Sequence, residues 1–314
     1  VESGIRISRD KKSKIDNYLE IEMDRRSLMK DVKILVIKVG TRVLATDAGT
    51  LDEERISALV REIAQICNNG IKVVLVSSGA ITAGIGIIGL KNKPKTLPDK
   101  QAAAAVGQSR LMEVYNRVFD ESGMISAQIL LTAEDLNERR RHLNARNTLV
   151  TLLSHGIVPV VNENDTVSVD EIRFGENDRL SALVAQLIQA DLLLILSDVD
   201  GLMSADPTHG GESMLISCVE SVDDSIRSMA GDASAHGVGT GGMRTKLEAA
   251  QIVTRAGETM VVANGRKDGV ITAVLSGKDE GTLFLPKTGR LSGKKRWLAF
   301  FARPNGMISI DKGA

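Results

Sequence analysis

The sequence predicts an α/β protein built on a mainly parallel sheet, and three observations carry that prediction. Short apolar, β-branched runs recur along most of the chain; each leads into a loop of small residues; each loop leads into a longer segment of helical periodicity. No unit recurs at a fixed period, which removes solenoids. At 314 residues the chain corresponds to roughly two domains of about 150 residues, or to one large domain with appendages.

Taken in order, residues 1–31 are dense in charge (Arg9, Asp10, Lys11, Lys12, Lys14, Asp24, Arg25, Arg26) and read as a flexible solvated extension or a frayed helix. Buried strands are expected at Val32 to Lys38, Ile71 to Val76, Ser126 to Leu131, Ile157 to Val161, Leu192 to Leu196, Thr259 to Ala263 and Thr282 to Leu285. Helical periodicity predicts helices over Asp52 to Asn68, Ser78 to Gly84, Lys100 to Glu121, Ala133 to Ser154, Asp178 to Gln189, Ser221 to Met229 and Met243 to Ala256. The more polar, alternating stretch Val167 to Phe174 fits a hairpin projecting from the sheet. Residues 32–286 then form the main domain and 287–296, rich in Lys, Arg and Gly, a linker. The remaining 297–314 is shorter than the ~40 residues a fold usually needs to stand alone.

Composition excludes several function classes. Forty Lys plus Arg balance forty Asp plus Glu, so no global field draws the chain to nucleic acid or anionic lipid. Aromatic residues make up only 3%, too few for base-stacking platforms. Cys67 and Cys218 lie far apart, and the four histidines show no metal-ligand spacing, so neither a disulfide scaffold nor a zinc site is expected. Purely apolar runs such as Leu192 to Leu196 are far below the ~20 residues that span a bilayer, which predicts a cytoplasmic protein without a membrane partner.

The candidate chemistry lies where strands end. Lys38 closes an otherwise apolar strand and should emerge at the sheet's carboxyl edge, where open α/β folds bind ligands; a snorkelling strand end explains it as well. Ser77, Ser78, Gly79 and Ala80 turn directly into a helix, so that an anion could approach the helix start, although a plain tight turn explains them almost as well. Asn162, Glu163, Asn164 and Asp165 end one strand, and Glu176, Asn177 and Asp178 open the helix beyond the hairpin. Two such amide-and-carboxylate loops suit an ammonium group, hydrated magnesium or a pair of lysines, although capping accounts for Asn177 and Asp178. Ser197 and Asp198 follow the fifth strand. The run from Gly239 through Thr240, Gly241, Gly242, Met243, Arg244 and Thr245 to Lys246 puts glycines and a lysine at a helix start, which suits polyphosphate. It is not a Walker A loop. Two G-x-G-x-x-G matches, at Gly84 and Gly237, lack the preceding strand a dinucleotide site needs.

In this order IKVGT, SSGA, NEND, FGENDRLSA, LSDVDGL, ADP and GTGGMRTK, with LNAR at Leu143 and GTLF at Gly281, resemble the amino acid kinase family over residues 32–286. The branch they resemble phosphorylates the γ-carboxylate of free L-glutamate at the head of proline biosynthesis. The resemblance implies a three-layer αβα sandwich with ATP and Mg2+ over one half of the sheet edge and L-glutamate over the other. It makes Lys38 and Lys246 the contacts of the transferring phosphoryl group, oriented by Asp178. Ser78, Gly79, Asn162, Asp165, Glu176 and Asn177 would hold glutamate, Glu176 standing where some relatives carry Asp. Gly40, Ser197, Asp198 and Thr240 to Lys246, together with Lys38, would hold ATP, with magnesium carried on its phosphates. It also implies L-proline as a feedback inhibitor and a homodimer or homotetramer built partly on the Lys100 to Leu153 helices. Residues 297–314 resemble the opening strands of a PUA domain and are expected to be the start of one cut short. Two alternatives stay open: a family member acting on N-acetylglutamate, aspartate or carbamate, and a non-catalytic amino-acid sensor or RNA-associated protein.

Overall fold

The computed structural model describes residues 25–46, 49–90, 94–168, 177–204, 213–230 and 242–287. The part of the expected hairpin that follows Ser168 lies outside the described residues, as do Glu176, Thr240, Gly241 and everything from residue 288 onward. The expected strands appear as β1 (Ile34–Val39), β2 (Lys72–Ser77), β3 (Ser126–Leu131), β4 (Val158–Glu163), β5 (Leu192–Ser197), β7 (Thr259–Asn264) and β8 (Thr282–Phe284). A two-residue strand, β6 (Cys218–Val219), is added; it is too short to leave a pattern in sequence. They form one sheet in the order β3-β4-β2-β1-β5-β7-β8-β6. Six strands run parallel, β8 runs antiparallel to β7, and β6 pairs parallel with β8.

Side-chain alternation sends each strand's residues to two cores. Leu35, Ile37, Val39, Leu75 and Leu194 meet α3 (Glu53–Asn68), α5 (Leu97–Glu121) and α11 (Val270–Leu275). Val36, Val74, Val76, Val161, Leu193 and Ile195 meet α7 (Arg139–Ser154), α8 (Asn177–Ile188) and α10 (Met243–Arg255), and the short α9 (Asp224–Met229) packs against the same core through Ile226 and Met229. This is the three-layer αβα sandwich that the resemblance implies. The chain leaves β1 for β2, β3 and β4 on one side and then returns to β5 on the other. The carboxyl ends of β1 and β5 therefore flank the point where strand order reverses, the standard place for a ligand crevice.

Four elements differ from the sequence reading. The single helix expected over Ala133 to Ser154 is broken into α6 (Ala133–Asn137) and α7. Glu138 ends one and caps the other, its carboxylate accepting from the Arg140 and Arg141 backbone N–H groups, both at 2.8 Å. The short helices α2 (Thr41–Leu44) and α11 offer too few turns for periodicity to register. The docked chain also starts earlier than residue 32. Residues 25–30 form α1, and Arg25 is buried, donating to the carbonyls of Ser217, Lys278, Glu280 and Gly281 and pairing with Asp279 at 3.0 Å. The extension expected over 1–31 is therefore part of the packed body from Arg25 on.

The first glycine pattern, at Gly84, has a packing role. In α4 (Ala80–Ile88) a Cβ on Gly84 would lie 1.8 Å from the Ala103 carbonyl oxygen of α5. A Cβ on Gly107 of α5 would lie 1.8 Å from the Ala80 oxygen. The two helices thus touch backbone to backbone, which only glycine allows.

Candidate active site

Lys38 stands two residues beyond Val36 and so shares its face, and its side chain leaves β1 on the side covered by α8 and α10. Those helices bring it two partners. Asp178, in the first turn of α8, is fully buried; its Oδ1 lies 2.6 Å from Lys38 Nζ and its Oδ2 3.2 Å from Lys246 Nζ of α10. Thr245 Oγ1 donates to the same Oδ2 at 2.8 Å. Both lysines are themselves buried. Burial would push the Asp178 carboxyl up, but the two ammonium groups and the Thr245 hydroxyl outweigh it and hold the group at about 2. Asp178 therefore joins strand and helix as a fixed carboxylate between two cations, a larger task than capping. Two buried ammonium groups on one carboxylate thus stand at the switch point, where a transferring phosphoryl group would meet them.

Beside this triad lies a network of amides. Asn177 Nδ2 donates to the Ser77 carbonyl at 2.8 Å, to Ser78 Oγ at 3.0 Å and to Asn162 Oδ1 at 2.9 Å. Asn162 Oδ1 also accepts from the Glu163 backbone N–H at 2.9 Å, and Asn162 Nδ2 donates to Gln108 Oε1 at 2.9 Å. The ends of β2 and β4 and the start of α8 are thereby locked together, because register sets Ser77 and Asn162 at neighbouring strand ends. Gly79 opens α4 with φ +102°, a left-handed conformation that explains glycine there. Asp165 follows β4 and lines a pocket of ≈ 270 Å³ with Ala80, Gln108 and Glu163.

Three of these contacts come from one helix and were not anticipated from the sequence. Gln101, Gln108 and Tyr115 recur every seven residues along α5, nearly two turns apart, and so share a face. Gln101 Nε2 donates to the Ser168 carbonyl at 3.2 Å, Gln108 meets Asn162, and Tyr115 Oη lies 2.8 Å from Ser77 Oγ. Burial pushes the Tyr115 phenol far up, so it stays neutral. The available signal was polar residues at heptad spacing inside an otherwise alanine-rich helix.

The expected nucleotide residues gather at β1, β5 and α10. Gly40 N–H donates to the Leu196 carbonyl at 3.0 Å, tying the end of β1 to β5. Ser197 Oγ donates to Asp198 Oδ1 at 3.2 Å, and Arg42 of α2 donates to Asp198 Oδ2 at 2.8 Å. Burial acts to raise the Asp198 carboxyl, and the Arg42 guanidinium with these hydrogen bonds brings it below the ordinary range. Gly242 caps α10; Met243 and Thr245 are half-buried, while Arg244 is exposed and lies 3.6 Å from Glu248. Among the described residues no three His, Cys, Asp or Glu side chains gather as metal ligands. Nor is any described helix long and apolar enough to cross a membrane.

Residues 33–264 match the amino acid kinase family. The glutamate 5-kinase of Trichlorobacter lovleyi is 51% identical over 290 residues, covering 92% of this chain and 77% of that protein. That of Thermoanaerobacter sp. (strain X514) is 49% identical over 280 residues, covering 89% and 75%. That of Clostridium acetobutylicum is 51% identical over 263 residues, covering 84% of this chain and 98% of the relative. In backbone alone, UMP kinase from Bacillus anthracis aligns with a TM-score of 0.56 at 17% identity, over 82% of this chain and 97% of that one. Isopentenyl phosphate kinase from T. acidophilum gives 0.54 at 18% identity, over 80% and 99%; both share the fold. With a family match across most of its length and relatives this similar over nearly all of it, the chain belongs to the amino acid kinase family, in its glutamate 5-kinase branch.

Proposed function

We propose that the chain transfers the γ-phosphoryl group of ATP to the γ-carboxylate of L-glutamate, giving γ-glutamyl phosphate and ADP, the first step of proline biosynthesis in the cytoplasm. The observation that carries this reading is the buried Lys38, Asp178 and Lys246 group at the carboxyl edge of the sheet. The acceptor is a carboxylate with a reference pKa near 4.3, already ionised at neutral pH, so no general base is required. What opposes the reaction is repulsion between an anionic nucleophile and a polyphosphate. Lys38 and Lys246 offset it, one from each side of the transferring group, and Asp178 holds both ammonium groups in place.

Glutamate is held by Ser78, Gly79, Asn162, Asp165 and Asn177, with Glu176 beside them, and the carboxylates among these face its ammonium group. ATP is held by Gly40, Ser197, Asp198 and the segment from Thr240 through Gly241, Gly242, Met243, Arg244 and Thr245 to Lys246. Mg2+ enters on the nucleotide's phosphates, where it neutralises charge. With this reading come L-proline as a feedback ligand and a homodimer or homotetramer, checked by proline titration of the activity and by light scattering.

The test is an ATP and magnesium assay with hydroxylamine, counting ADP and trapped hydroxamate for L-glutamate, N-acetyl-L-glutamate and L-aspartate. Hydroxamate from glutamate in stoichiometry with ADP is the expected result. Preference for either other substrate refutes the acceptor assignment, and no ADP with any of them refutes the kinase reading.

A further inference from the structure

The hydrogen bonds around Asn162 determine which end of Gln108 is left over. The Glu163 backbone N–H can only donate, and it donates to Asn162 Oδ1; the Ser77 carbonyl can only accept, and it accepts from Asn177 Nδ2. Asn162 must therefore turn Nδ2 toward Gln108, which receives it on Oε1 and turns its own Nε2 the other way. That nitrogen is buried without a hydrogen-bond partner, on a residue only 9% exposed. Buried donors are nearly always satisfied, so an unmet one at a pocket wall marks a place where something else accepts. Gln108 lines the ≈ 270 Å³ pocket between α4, α5 and the end of β4, together with Glu163 and Asp165.

The pocket's chemistry narrows the ligand. Glu163 already accepts from Ser168 Oγ at 3.0 Å, so the unmet group on this wall is the Gln108 amide, and a carboxylate is the strongest acceptor an amino acid brings to such a donor. A γ-carboxylate that reacts at Lys38 and Lys246 lies on the Asp178 side of Asn177. Gln108 lies on the other side, reached through Asn162. The end of the substrate that meets Gln108 is then the α end. We propose that Gln108 Nε2 donates a hydrogen bond to the α-carboxylate of the amino-acid acceptor, which makes Gln108 a specificity-determining residue. The inference rests on the glutamate reading above.

The experiment measures kcat/KM for L-glutamate and for L-isoglutamine, whose α-carboxylate is a carboxamide and whose γ-carboxylate is intact. The parent enzyme should favour glutamate by about tenfold or more, since a site built around one hydrogen bond discriminates against an analogue that makes it poorly. Gln108→Glu keeps an acceptor for Asn162 but sets an oxygen where Nε2 was. The preference should collapse or invert, because a carboxamide can donate to that oxygen and a carboxylate is repelled by it. Gln108→Leu should flatten the preference, and it serves alone if Gln108→Glu does not fold. Glutamate binding without nucleotide, followed by calorimetry, should weaken about tenfold in either variant while the ATP KM holds. Equal losses on both substrates would show that Gln108 acts only by holding Asn162, and that overturns the proposal, as does an unchanged preference. A parent enzyme that turns over neither compound refutes the glutamate reading, and this proposal with it, before any variant is made.

Discussion

Replacing Asp178 by Asn removes one charge from a buried group of three and changes almost no volume. In the parent the carboxylate is fully buried, 2.6 Å from one ammonium group and 3.2 Å from the other. These three side chains together carry one net positive charge, and Asp178→Asn raises it to two. The stability involved follows in two ways. The Asp178 carboxyl titrates at about 2 in the folded chain against an ordinary 3.8; at ~1.4 kcal/mol per pH unit, the charged form is worth about 2 kcal/mol. The folded value is the lower one, so this contribution is fully present above 3.8 and is lost as pH falls through about 2. Removing one partner of a buried pair costs ~3–5 kcal/mol in general, because a buried charge is left alone. The two brackets agree on a few kcal/mol, a fall in Tm on the order of 10 °C for a domain of this size. Urea denaturation at neutral pH should show that gap, and it should narrow as pH drops below 4. The turnover number should fall about 100-fold or more, since both lysines lose their common anchor. The deciding measurement adds Lys38→Met to the variant, which returns the group to one net positive charge. Stability should largely recover while activity stays lost. If Asp178→Asn were as stable as the parent, or if Lys38→Met simply added its own cost, Asp178 would not be the counter-charge.

Two further outcomes follow from the geometry. Gly107→Ala puts a methyl group 1.8 Å from the Ala80 oxygen and 2.3 Å from the Gly84 nitrogen, so α4 and α5 must part. Overpacking of this kind costs ~1–3 kcal/mol, and a melting temperature within a degree of the parent would show that the helices are not in backbone contact. Asp165→Ala should raise the glutamate KM by about tenfold while leaving the ATP KM alone, by loss of a carboxylate facing the substrate ammonium. An unchanged glutamate saturation curve removes Asp165 from the substrate site.

The parts of the fold that were legible in sequence are those whose signal is local. Seven strands announce themselves as apolar runs, and Asp52 marks the start of α3, where its carboxylate accepts from the Arg55 N–H at 2.9 Å. Lys38 was legible as a charge closing an apolar strand, and Asp178 as a carboxylate at a helix start. Their pairing was not legible from the residues alone, because it joins positions far apart in the chain through the parallel sheet. Arg25 and Arg42 fail for the same reason: each looks like one more surface cation until the β6 and β8 edge, or Asp198, is placed beside it. Gln108 was hidden differently. It sits in the apolar stripe of α5 between Ala104 and Leu111, and a periodicity argument reads such a residue as an imperfection in a core helix rather than as its purpose.

The start of α8 explains why the two halves of the site can be set so closely with respect to each other. Asn177 and Asp178 are consecutive, and one helical step turns successive side chains by about 100°. Asn177 therefore points into the amide network of Ser77, Ser78 and Asn162, while Asp178 points across β1 to Lys38 and Lys246. The spacing between the acceptor's seat and the lysines is set by one peptide unit of a buried helix rather than by a loop, and apart from Ser78, which directly follows β2, every contact on either side is made to a strand end or to another helix. For a reaction whose nucleophile needs no base, placing two anions in line is the main demand on the protein, and catalysis of that kind tolerates little misalignment. A substitution that tilts α8 without touching either residue should accordingly cost turnover before it costs binding, because the lysines and the amides would both remain but no longer face one another at the reacting distance.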